Sequence, residues 1–173
     1  MRFTKVSASI DMMDSVCIET SIVSYLKQSP SPHVVNAARQ ILTRRWWESE
    51  RQNYDLVVSQ YVIDETSCGD SILASERLKA LDGIPLLPGH SEIPAIASSI
   101  MTLGILPPKA EVDALHIAAV AWHRINDLLT WNCKHIANAK ILPRIHELLA
   151  ELDLPIPIIC TPEQMLGDDP ETD

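Results

Sequence analysis

The chain reads as an α/β protein of three layers, with helices on both faces of a parallel sheet of about five strands. Three observations predict this class. Short apolar runs of strand length recur at Val16–Ile18, Leu56–Val58, Ile84–Leu87, Leu128–Trp131 and Pro155–Cys160. Longer stretches with helical spacing of apolar residues separate them. Neither an internal repeat nor a linker divides the chain, so residues 13–167 are expected to form one domain.

In order, Met1–Met12 shows no sustained periodicity and is expected to be a flexible extension, with translation able to begin at Met12 or Met13. The first strand, Val16–Ile18, ends at Glu19, and Thr20 or Ser21 is expected to cap a helix over Ile22–Lys27. The SPSP run at Ser29–Pro32 breaks the chain, and an amphipathic helix follows from Val34 to about Asn53. After the second strand, Ser59 is placed to cap a helix carrying Tyr61 to Thr66 and stopping at Gly69. Further helices are expected over Asp70–Leu81 and Glu92–Leu103, with a third strand at Ile84–Leu87 between them.

The stretch Ala110–Asn138 is the most informative. Leu115, Ala118, Ala119, Trp122 and Ile125 describe one apolar helix face, and Asp113 and His116 lie three residues apart in its first turns. Asn126 and Asp127 then punctuate before the strand Leu128–Trp131, which runs into Asn132, Lys134 and His135. In open α/β sheets, ligands collect outside the carboxyl ends of strands, so this loop is the expected place for chemistry. Ile136–Leu152 reads as mostly helical, with Pro143 marking a break or a restart. Pro155–Cys160 reads as an edge strand, Thr161 as the cap of a short helix, and residues 168–173 as an acidic mobile tail.

Composition excludes several classes. At 173 residues, 46% apolar and 21% charged, the chain is ordinary for one globular domain and wrong for disorder. A net charge of −9 argues against a non-specific nucleic-acid binder, though not against a nuclease whose acids hold a cation. Cys17, Cys68, Cys133 and Cys160 form no CxxC pair and show no zinc spacing, which fits a reduced cytoplasmic setting. Cys17 reads as a small core residue. No run reaches membrane-spanning length, and no glycine-rich loop follows a strand.

Acids at the carboxyl ends of strands, or on helices near them, are Glu19, Glu65 and Asp113, with Asn132 a neutral fourth oxygen donor. Such a shell suits a hard divalent cation, Mg2+ or Mn2+, and without one the gathered charges would repel. A bound cation generates a hydroxide nucleophile and neutralises charge at a phosphate. His116 is open to two readings, a phosphate contact or a locally bonded packed ring. Lys134 and His135 are better placed to meet a phosphate. An aspartyl phosphotransferase is disfavoured, because Ser21 stands two positions after Glu19 where that chemistry wants a second aspartate.

The segments VCIETSIVSYL, LVVSQYVIDE and DALHIAAVAWHRINDLLTWNCKHIAN, in this order, resemble the PIN-domain ribonucleases, and more narrowly the VapC-type toxins of bacterial toxin–antitoxin pairs. The likeness spans Val16 to Met165, and the DALHIA and TWNCKHIAN runs are its more specific parts. It implies a PIN-like fold and a Mg2+- or Mn2+-dependent endoribonuclease with Glu19, Glu65 and Asp113 as catalytic acids and metal ligands. Asn132 falls at the fourth ligand position. It further implies an RNA substrate, a cognate antitoxin and a homodimer. The chain departs from the common pattern at Glu19, usually aspartate, and at Asn132, often aspartate. A catalytically silent PIN-like interaction module is the alternative expectation.

Overall fold

The computed structural model describes residues 13–167. The expected extension at Met1–Met12 and the acidic tail at residues 168–173 lie outside them. Four strands form one parallel sheet in the order β2-β1-β3-β4, from β1 (Ser15–Ile18), β2 (Asp55–Val57), β3 (Asp127–Leu129) and β4 (Ile158–Cys160). The helices are α1 (Thr20–Lys27), α2 (Val34–Ser49), α3 (Gln60–Thr66), α4 (Ser71–Ala80), α5 (Glu92–Thr102), α6 (Glu111–Trp122), α7 (Leu142–Glu151) and α8 (Pro162–Met165).

Side-chain alternation along β1 builds the layers. Cys17 points to one face and packs with Leu128, Ile100, Ile117 and Ile145. Val16 and Ile18 point to the other and pack with Leu129, Ile22, Trp46 and Val62. Both faces are therefore covered, and β3 is buried at every position. Helix α6 lies deepest: Ala114, His116, Ile117, Ala118, Ala119, Val120 and Ala121 are all buried, and its alanines let α5 approach closely.

The sheet has four strands where about five were expected. Ile84–Leu87 runs beside β2 but makes only a parallel bridge from Leu86 to Val58, through Val58 N–H to Pro85 O at 3.0 Å and Leu87 N–H to Val58 O at 2.8 Å. Pro85 lies within the segment and has no N–H to donate toward β2, so the ladder does not extend past this bridge on that side. Other boundaries also differ. Helix α6 stops at Trp122 rather than reaching Ile125, because Arg124 takes a left-handed φ of 56° and Ile125 N–H closes back on Val120 O. Helix α2 ends at Ser49 and tightens into a single turn over Arg51–Asn53. Pro143 sits in the first turn of α7 and marks the restart of the helix, as one of its two expected roles.

Candidate functional site

At the carboxyl end of the sheet, β1 runs directly into α1 and the turn between them holds Glu19. Glu19 is itself the N-cap of α1, in place of the expected Thr20 or Ser21, and its Oε2 accepts the Ser21 N–H at 3.1 Å. The positive end of the helix faces this carboxylate. Two hydroxyls complete its cradle. The Thr130 hydroxyl donates to Oε2 at 2.7 Å, and the Ser21 hydroxyl donates to the same atom. Each hydroxyl also accepts a backbone N–H, Thr130 from Asn132 at 2.9 Å and Ser21 from Trp131 at 2.8 Å. Glu19 is only 5% exposed, and burying a carboxylate this deeply requires such donors.

Glu65 comes from α3, near that helix's carboxyl end, after Ser59 starts the helix by accepting the Val62 N–H. Its Oε2 accepts from the Thr20 hydroxyl at 2.6 Å and pairs with His116 Nε2 at 2.8 Å. Partial burial raises the Glu65 pKa, but the hydrogen bonds from His116 and Thr20, with the electrostatic attraction of the His116 ring, outweigh it. The carboxyl is thereby held below its ordinary value. The chain thus brings Glu19, Glu65 and His116 together from three elements, with one ligand-capable atom of each within 4.8 Å of the others. Among the described residues, Oε1 of Glu19 and Oε1 of Glu65 accept no hydrogen bond.

Asp113 lies one turn before His116 on α6 and faces the loop after β3. Asn132 Nδ2 donates to its Oδ1 at 2.9 Å, and His135 Nδ1 pairs with its Oδ2 at 2.8 Å. The amide oxygen of Asn132 accepts the His135 N–H at 3.1 Å, so both ends of that side chain are engaged within the bracket. The reverse amide orientation would set oxygen against oxygen at Asp113. Asp113 belongs to this bracket and not to the three-membered group, while each of its oxygens keeps a second lone pair. The two clusters join through the Asn132 N–H, Thr130 hydroxyl and Glu19 chain.

The remaining candidates divide by exposure. Lys134 is exposed, and its ammonium has no partner among the described residues. His135 is partly buried against Asp113. His116 is 2% exposed and packs edge-on against Tyr61. Cys17 fits its expected core role, since burial and the nearby Glu19 charge push its thiol up to about 12. Sequence reasoning missed Thr20, Ser21 and Thr130 as holders of the carboxylates. Thr130 carried a signal, a hydroxyl inside an otherwise apolar strand run.

The donor set suits a divalent cation. Two fixed carboxylates, each with an unengaged oxygen, are hard ligands of the kind Mg2+ and Mn2+ take. Among the described residues, no helix is long and apolar enough to cross a membrane.

This is the three-layer α/β fold of the VapC PIN-domain toxins, as the sequence resemblance implied. Neither a protein-family model nor a curated protein matches the sequence. Two solved structures carry the comparison. A chain of Rickettsia felis VapBC2, solved bound to a DNA fragment from its promoter, superposes with a TM-score of 0.53 at 12% identity, over 85% of this chain and 98% of that one. Mycobacterium tuberculosis VapC20, described as a sarcin–ricin-loop-cleaving toxin, superposes with a TM-score of 0.54 at 17% identity, over 72% of this chain and 95% of that one. At these identities the likeness is one of fold.

Proposed function

We propose that the protein is a divalent-cation-dependent endoribonuclease and the toxin of a toxin–antitoxin pair, working in the cytoplasm. The observation that carries this reading is the convergence of Glu19 and Glu65 from separate elements, each held by hydroxyl donors and each with an oxygen to spare. Support comes from the fold shared with VapC20, a toxin described as cleaving the sarcin–ricin loop, and with VapBC2. The cognate antitoxin and the homodimer remain part of the proposal.

Glu19, Glu65 and Asp113 hold Mg2+ or Mn2+ in this reading, and Asn132 assists at Asp113. A bound cation supplies charge neutralisation at the phosphate and an acidified water. The chain's own groups do the rest. Ser21, Thr20 and Thr130 fix the carboxylates before any substrate arrives, so little reorganisation is left for the reaction. Lys134 offers a mobile cation to an RNA phosphate beside the bracket, and His135 offers a ring held by Asp113.

The test is cleavage of structured RNAs by the purified protein with Mg2+, Mn2+ or EDTA, alongside Asp113→Ala. Cation-dependent cleavage lost in the variant is the expected result. Cleavage surviving both EDTA and the substitution would sink the mechanism, and no cleavage of any RNA would favour the silent interaction module.

A further inference from the structure

We infer that His116 is a positioning residue for Glu65, donating from Nε2 and taking no place among the cation ligands or substrate contacts. The inference rests on the cation reading of the site. Position alone makes His116 look like a ligand, because its ring nitrogen lies within 4.8 Å of ligand oxygens from both Glu19 and Glu65. Its hydrogen bonding argues otherwise. Nε2 meets Glu65 Oε2 at 2.8 Å, and an ionised carboxylate only accepts, so Nε2 carries the hydrogen. The other nitrogen, Nδ1, is buried and has no partner among the described residues.

This asymmetry fixes the tautomer. A hydrogen on Nδ1 would be a buried donor without an acceptor, and orphaned buried N–H groups are rarer than under-satisfied acceptors. To ligate a cation, Nε2 would have to surrender its hydrogen, and Nδ1 would then carry one with nowhere to place it. The bond to Glu65 would also be lost. Histidines that ligate metals ordinarily anchor their second nitrogen on a carboxylate, carbonyl or water, and His116 lacks that anchor among the described residues.

What the ring does instead is hold a carboxylate. Glu65 has 39% of its side chain exposed, so packing alone leaves it room to swing, whereas His116 is nearly sealed and braced by Tyr61. With Thr20 on the same oxygen, His116 pins Oε2 and leaves Oε1 for a cation. The near-complete burial also keeps the ring away from an RNA phosphate.

Two measurements test this. In metal-free protein, long-range 1H–15N correlation should show the His116 hydrogen on Nε2 and a bare Nδ1. In Mn2+ titrations followed by electron paramagnetic resonance, His116→Leu should bind about tenfold or more weakly, as loss of an outer-shell partner does. His116→Gln, whose amide can donate from near the Nε2 position, should recover most of that loss. In RNA cleavage, His116→Leu should lower kcat with little change in KM. Should the leucine variant fail to fold, the tautomer and the glutamine variant still decide the matter. A hydrogen on Nδ1, or wild-type Mn2+ affinity in His116→Leu, would overturn the proposal. Absence of Mn2+ binding by the wild-type protein would overturn the cation reading itself, and the tautomer would still show whether His116 holds Glu65.

Discussion

Acids gather at both ends of the sheet, and the two gatherings are built differently. At the carboxyl end, Glu19 accepts three hydrogen bonds and Glu65 two, from the backbone, hydroxyls and a histidine. At the amino end, Asp127 is 7% exposed beside Asp14, yet its carboxylate accepts no hydrogen bond among the described residues. The polar groups there, Ser15 and Asn126, bond one another instead and tie β1 to β3. Burial and then the Asp14 charge raise the Asp127 pKa, while donors hold Glu65 low despite its burial. Proximity of acids is therefore no sign of a site by itself. The sign is a supply of donors that stabilise the ionised form in one fixed geometry.

The contrast breaks most visibly in activity. Glu65→Gln should lower RNA cleavage by more than about a hundredfold, at or beyond the upper range for losing a metal's outer-shell partner. Asp127→Asn, measured in the same assay, should leave the rate within about twofold of wild type, as suits a near-isosteric change at the opposite end of the sheet from the chemistry.

Stability carries the second prediction. Thr130→Val removes one donor from buried Glu19 and the acceptor of the Asn132 N–H, and should cost about 1–3 kcal/mol in urea unfolding. Cleavage should fall with it, because the same hydroxyl links Glu19 to the Asp113 bracket. A fully active Thr130→Val would remove the donors from the account.

The subtlest effect is the pH dependence of stability, taken in EDTA. The folded pKa of Asp127 is raised, so its favourable contribution is complete at low pH and is lost as pH rises through the folded value. Asp127→Asn should accordingly raise Tm at pH 7 and lose that advantage below the ordinary carboxylate range. Glu65 has the opposite sign. Its contribution is present above the ordinary carboxylate pKa and disappears as pH falls through the lowered folded value. Glu65→Gln should therefore lower Tm at neutral pH and converge on wild type in acid. Parallel pH profiles for the two variants would show that the two ends are not built differently.

Much of this architecture is legible from residue order. The strand-length runs and helical spacings place four of the five expected strands, and the resemblance through DALHIA and TWNCKHIAN leads to the fold that is found. What was not legible depends on contacts between distant residues. Nothing local tells that Thr130, 111 positions from Glu19, turns its hydroxyl onto that carboxylate. Nor does sequence say that the Asn132 amide spends itself on Asp113 and His135. The Ile84–Leu87 run has the composition of a strand, but only the position of Pro85 against β2 shows why it stops at one bridge.

The most direct measurement is Mn2+ binding by wild type, Glu65→Gln and Asp127→Asn under identical conditions. One bound ion in wild type and Asp127→Asn, and markedly weakened binding in Glu65→Gln, is the predicted result. Binding that survives Glu65→Gln but is lost in Asp127→Asn would place the cation at the wrong end of the sheet and contradict the account.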